Sequence, residues 1–327
     1  MTRILTTFVL AAAISTGFAQ APAAGTGKAL VSVYTAWRTA ILRKDVAGWQ
    51  RTTAPHRQAE IRNRLVSEKK QFPGDVFNLP APPGFEAGDK RPLIVFLHGG
   101  FWDTAMATQF VPHCLHFAER GAVPVTLETR VNSTHRTGPM EALEDVHAFL
   151  RWLKSYEHHF GVDPGRVVFA GAAGGAFLAL ALSLPKLQKG DVPPVYAPAA
   201  LVLFSTLLDT TVRPVSERFP DHSTAKRLSP LKNLKRKAVP MILFHGKKDR
   251  VTPFANVEKF HKSMRWRRNK IEVVDFENAE HSFFNFNVSD LHYELSVGAA
   301  DRFLVGLGIL PPPPVIEEGL VEPAADS

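Results

Sequence analysis

Six short apolar runs are strung along the chain with helical patterns between them: LIVFL at 93–97, VPVTL at 123–127, RVVFAG at 166–171, ALVLF at 200–204, MILFHG at 241–246 and IEVVDF at 271–276. As a set they lack the polar alternation of a strand with one wet side, so they read as strands covered on both faces. The clearest intervening helix runs from Met140 to about Phe160, with Leu143, Val146, Leu150 and Leu153 on one stripe. Strand and helix in turn at this spacing predict an α/β fold, a mostly parallel sheet wrapped by helices.

The remaining segments bound that domain. MTRILTTFVLAAAISTGFAQ has an early charge at Arg3, an apolar stretch from Ile4 to Ala13 and small residues at Gly17 and Ala19. It reads as a secretory signal over residues 1–19, cleaved before Gln20, which implies export to the periplasm or beyond. The apolar stretch is shorter than the roughly 20 residues a membrane span needs, and no other segment is apolar enough to cross. Leu30, Val33, Tyr34, Trp37 and Ile41 recur at helical spacing, a second helical stretch follows from about His56 to Lys70, and prolines and glycines crowd 73–92. Residues 20–80 are therefore expected to form a small helical leader and linker, 81–310 the α/β domain, and 311–327, from PPPP onward, an extended acidic tail.

Composition excludes some functions. With 45% hydrophobic and 21% charged residues the chain is not mainly disordered or fibrous. Cys114 is the only cysteine, so no intrachain disulfide exists. The net charge of +8 and the cluster Arg265, Arg267, Arg268 and Lys270 around Trp266 invite a nucleic-acid reading. A charge run at the end of an amphipathic helix is more simply a solvated face, and on an exported protein such charge suits an acidic surface or polysaccharide better than nucleic acid. His113, Cys114 and His116 lie close in sequence, and a metal site there would need further ligands and a suitable compartment. No metal or cofactor is expected.

Parallel sheets carry their sites at the carboxyl ends of the strands, and four of those ends are informative. LIVFL is followed by His98-Gly99-Gly100-Phe101-Trp102, where Gly100 and Phe101 are placed to offer backbone N–H groups to a developing oxyanion, or to form a plain glycine loop. RVVFA is followed by Gly171-Ala172-Ala173-Gly174-Gly175, small enough for a tight strand-to-helix turn. MILFH is followed by GKKDRVTP, with Asp249 in a loop before a helix starting near Pro253, and IEVVDF by NAEHSFF, with His281 beside two phenylalanines. Taken singly, Asp249 is an ordinary turn residue and His281 an ordinary core histidine. Together they follow the order oxyanion loop, nucleophile turn, acid, histidine.

On these residues the sequence resembles the α/β-hydrolase superfamily and, within it, the HGG-type esterases, hormone-sensitive-lipase-like and feruloyl- or acetyl-xylan-esterase-like. HGGFW stands for that family's HGGGW, ALEDVHAFLRWL for its helix before the elbow, GVDPGRVVFAGAAGG for GIDPxRIxLxGxSAGG, and NAEHSFFNF for GxGHGFFNF. The likeness spans roughly 80–310 and implies an acyl-ester pocket with Asp249 as acid, His281 as base, and Gly100, Phe101, Gly174, Trp102 and Phe283 as oxyanion and binding residues. Phe101 replaces the third glycine of the oxyanion loop, and Ala172 replaces a frequent acidic residue.

The nucleophile position is Ala173. A methyl group cannot attack a carbonyl; loss of the serine in such a triad costs about 10⁶ in kcat and leaves only roughly 10³–10⁴ over water. Either the turn never held a serine or an esterase scaffold had its nucleophile replaced, and survival of the Asp249 and His281 loops in order favours replacement. Ser205, at an ordinary strand end, and Ser183, roughly 15 Å along the following helix, are poor substitutes. The sequence thus predicts an exported esterase-like protein that binds a small-molecule or carbohydrate acyl ester without serine-hydrolase turnover. Its rivals are an unconventional hydrolase using water activated by His281 or another nucleophile, and a non-catalytic interaction scaffold.

Overall fold

The structure is a computed structural model that describes residues 88–106, 108–158, 160–183, 195–234 and 236–313. The predicted signal, the leader and linker to residue 80, and the tail beyond residue 313 lie outside the described residues.

All six apolar runs are strands: β1 (Arg91–Leu97), β2 (Val123–Leu127), β3 (Val162–Ala172), β4 (Ala200–Phe204), β5 (Met241–Gly246) and β6 (Ile271–Phe276). They form one sheet in the order β2-β1-β3-β4-β5-β6 with every pairing parallel. Seven α-helices accompany it among the described residues: α1 (Val111–Glu119), α2 (Asn132–His135), α3 (Pro139–Tyr156), α4 (Ala173–Ser183), α5 (His222–Leu228), α6 (Phe254–Trp266) and α7 (Asp290–Gly306).

Because successive strand residues point to opposite faces, the apolar runs feed two cores at once. Leu93, Val95 and Leu97 of β1, Leu201 and Leu203 of β4, and Met241 and Leu243 of β5 enter the core shared with α3, α4, α5 and α6. Their neighbours Ile94, Phe96, Val202, Phe204, Ile242 and Phe244 enter the core shared with α1 and α7. This double coverage is why the runs show no alternation. β6 departs from that expectation: it closes the sheet with one neighbour, and Glu272 and Asp275 are exposed. Position at the edge is not by itself the cause, since β2 at the opposite edge is buried throughout.

α3 stops at Tyr156, before the predicted Phe160, because Gly161 turns the chain at φ 59° and Val162 already pairs with Arg91. Between that pairing and Leu93↔Val167 the register shifts, and the Asp163 carboxylate accepts the Gly165 N–H at 2.9 Å to close the intervening turn.

β1 lies between β2 and β3, so the connections leaving β1 and β3 run to opposite sides. Such a topological switch opens a crevice at the strand ends. The His98–Trp102 loop and the Ala173 turn both border it.

Candidate active site

The turn after β3 has the geometry of a sharp strand-to-helix elbow. Ala173 has a left-handed φ of 46°, a region that non-glycine residues seldom enter. At the positions two before and two after it stand glycines that cannot be replaced without movement. A Cβ on Gly171 would sit 2.7 Å from the Gly175 carbonyl carbon, and one on Gly175 would overlap the carbonyl oxygens of Leu97 and His98. The strain at Ala173 is held by its surroundings: β3 continues into α4 without a break, the Leu207 N–H donates to the Ala173 carbonyl at 3.4 Å, and the residue is buried.

At the ends of β5 and β6 the structure brings Asp249 and His281 together. Nδ1 of His281 is 2.8 Å from Oδ2 of Asp249, and since a carboxylate only accepts, Nδ1 carries the proton. Nε2 of His281 has no hydrogen-bond partner among the described residues, and the side chain retains partial exposure. Asp249 itself is locked by its own loop: Oδ1 accepts the N–H groups of Val251 and Thr252, both at 2.8 Å. Burial alone would raise this carboxyl, but hydrogen bonds from His245 and His281, the charge on His281 and the Thr252 N–H together hold it well below the usual carboxylate range.

Three residues complete this network. His245, the fifth residue of β5 and wholly buried, donates from Nε2 to the Thr252 carbonyl at 2.7 Å, and the same nitrogen lies 3.3 Å from Oδ2 of Asp249. Thr252 Oγ1 is 2.8 Å from Oδ2 of Asp249 and 3.1 Å from the Ser205 carbonyl, and its single proton serves one of them at a time. Ser205, at φ 42° just past β4, donates from Oγ to the His281 carbonyl at 2.6 Å and so pins the histidine loop to the sheet. Sequence reasoning weighed Ser205 only as a nucleophile and passed over His245 and Thr252. Their one sequence signal is spacing, a histidine four residues before Asp249 and a hydroxyl three after it.

The HGG loop differs from its sequence reading. The Gly174 N–H donates to the Gly100 carbonyl at 3.0 Å. In a trans peptide the Gly100 carbonyl and the Phe101 N–H point in opposite directions, so the Phe101 N–H is aimed away from Gly174. The Gly174 and Phe101 N–H groups therefore do not converge on one point in this arrangement. The loop is anchored by the Gly99 N–H, which donates to Oε1 of Gln109 at 2.6 Å, and by His98, whose Nδ1 lies 2.9 Å from the Gly99 carbonyl and whose basicity is lowered by burial.

The two aromatic residues expected as binding residues are buried within the domain. Trp102 is 2% exposed and packs edge-on against Phe177 and Phe219, and Phe283 is 3% exposed against Phe276 and Phe284. Both fill core volume because the loops that carry them fold back over the sheet. His113, on α1, is fully buried among Phe96, Phe110, Phe204, Phe284 and Tyr293, while His116 lies 3.0 Å from Asp301. Among the described residues no group of three or more His, Cys, Asp and Glu side chains is arranged to hold a metal ion.

A strand-to-helix elbow, a histidine on a buried aspartate and a glycine loop share the carboxyl edge of one parallel sheet, and residues 94–268, over half the chain, match the α/β-hydrolase fold family. The chain belongs to that family. Within it, this α/β-hydrolase is similar to esterases. It is 32% identical to the apo form of Thermogutta terrifontis esterase 2, with a TM-score of 0.66 over 71% of this chain and 90% of that one. The propionate-bound form of the same esterase aligns over 73% of this chain and 94% of that one, with a TM-score of 0.65 and 32% identity. Liver carboxylesterase B-1 of Rattus norvegicus is 27% identical over 176 residues, 51% of this chain and 31% of that protein, so the chain spans about a third of that relative's length. Esterase LipQ of Mycobacterium tuberculosis is 25% identical over 250 residues, 70% of this chain and 59% of that protein. The protein is thus a carboxylesterase-like α/β-hydrolase, and among its described residues no helix is long and apolar enough to cross a membrane.

Proposed function

We propose that this α/β-hydrolase is an exported protein that binds a small-molecule or carbohydrate acyl ester and has no serine-esterase turnover. The observation that carries this reading is Ala173: an alanine in the left-handed region at the apex of an elbow whose flanking glycines at 171 and 175 allow no side chain. In an active enzyme of this architecture the apex residue supplies the attacking oxygen. Here a methyl group occupies that apex, while the aspartate and histidine that would activate the oxygen are hydrogen-bonded to each other. The export reading rests on residues 1–19 alone.

A second reading draws on the free Nε2 of His281. With Nδ1–H held by Asp249, Nε2 has the lone pair that a general base needs, so a water activated by His281 would support slow hydrolysis. A fluorophosphonate probe and small p-nitrophenyl esters test both. The expected result is no covalent labelling of the unaltered protein and no turnover above buffer, with Ala173→Ser gaining measurable hydrolysis. Labelling of the unaltered protein at any serine refutes the main reading, and turnover without labelling, abolished by His281→Ala, selects the water mechanism.

A further inference from the structure

The Gly174 N–H directly follows the apex of the elbow, and it is already used. Its partner, the Gly100 carbonyl, reaches it because Gly174 has no side chain: a Cβ there would overlap that oxygen and also meet Trp102 Cε2 at 3.1 Å. Gly100 sits at φ 89°, a conformation that favours glycine, and nothing lies within 4 Å of where a Cβ would be, so its backbone conformation and not crowding sets the demand for glycine there. Two glycines on opposite sides of the crevice thus permit one close approach.

We propose that Gly174 is a positioning residue that keeps the anion-stabilising site shut: lacking a Cβ, it lets the Gly100 carbonyl cap its N–H, which turns the Phe101 N–H out of the crevice. The inference rests on the reading of this crevice as an esterase-type site and deepens it. Under it, the missing hydroxyl at Ala173 is one of two obstacles to hydrolysis. A tetrahedral oxyanion formed at the elbow would meet the Gly100 carbonyl oxygen, with the Gly174 N–H already bonded and the Phe101 N–H turned away, and charge repulsion would replace their stabilisation. Adding a methyl at position 174 pushes the Gly100 oxygen away. The Gly100–Phe101 peptide then reorients about the glycine, and the N–H groups of Phe101 and residue 174 face the same point.

The test compares Ala173→Ser with the double variant Ala173→Ser/Gly174→Ala on p-nitrophenyl acetate. Donors that act on the transition state alone raise kcat and leave KM in place, and one such donor is worth about 10²-fold or more in kcat. The double variant is expected to exceed the single one by that order in kcat with KM unchanged. Equal kcat values, or two folded variants that are equally inert, overturn the proposal. A second measurement needs no substitution: in the unaltered protein a trans-hydrogen-bond scalar coupling is expected between the Gly174 amide nitrogen and the Gly100 carbonyl carbon. A free Gly174 amide also overturns it. Fluorophosphonate labelling of the unaltered protein would sink the reading of function instead, and leaves the coupling to judge the closure by itself.

Discussion

His245 and His281 meet on one oxygen: Nε2 of the first lies 3.3 Å and Nδ1 of the second 2.8 Å from Oδ2 of Asp249. The two histidines come from β5 and from the loop after β6, so the carboxylate ties neighbouring strand ends together. Asp249→Ala would strand the buried Thr252 N–H and the part-buried Val251 N–H and His281 Nδ1, at a cost of about 2–3 kcal/mol in sum. Urea unfolding at pH 7 measures it; a loss under about 1 kcal/mol would show that water replaces the carboxylate.

The same group sets an acid limit. The Asp249 carboxyl is depressed in the folded protein, so between its folded and unfolded pKa values the native state binds fewer protons than the unfolded chain. Its contribution is complete above about pH 4 and is lost as the pH falls further. The stability difference between the unaltered protein and Asp249→Asn is therefore expected to shrink below that pH, and a constant difference down to about pH 2 would contradict the assignment.

His113 acts over a higher range. Burial pushes its imidazole down to about 3, helped by the charge on His116, and neither ring nitrogen has a hydrogen-bond partner among the described residues. The unfolded chain takes up a proton near pH 6.5 that the folded one refuses, so stability rises with pH between about 3 and 6.5. At pH 5 the penalty is about 2 kcal/mol relative to neutral pH. His113→Phe should reduce the pH dependence of unfolding by that amount, and identical profiles would show the ring to be solvated.

Ser205→Ala removes the bond that pins the His281 carbonyl. We expect a loss of about 1–2 kcal/mol, typical of a buried hydroxyl donor to a carbonyl. Ser205 should also remain unlabelled by a fluorophosphonate in the Ala173→Ser variant, where position 173 takes the label. A phosphonyl group on Ser205 would make it a nucleophile rather than an anchor.

Trp102 separates packing from ligand contact. Trp102→Ala empties a site bounded by Phe177 and Phe219 and should cost about 3–5 kcal/mol. Trp102→Phe keeps most of the ring volume and removes an Nε1 that has no hydrogen-bond partner among the described residues, so it should cost less than about 1.5 kcal/mol. Comparable losses in the two variants would mean that the indole N–H has a partner.

What was legible in the sequence is what neighbouring residues determine among themselves. Continuous apolar runs mean strands covered twice, and all six formed; small residues around Ala173 mean a tight elbow, and Ala173 sits at its left-handed apex. The Asp249 loop could be placed because its aspartate caps its own backbone two and three residues on. The tertiary structure decided what depends on distant segments meeting. Gly100 and Gly174 touch only because β1 and β3 are neighbours in register, and that contact sets which way one peptide plane faces. His245, Thr252 and Ser205 reach Asp249 and His281 only because β4, β5 and β6 end side by side. A peptide orientation or a shared carboxylate is a property of two chains of atoms brought together, and linear order carries no record of it.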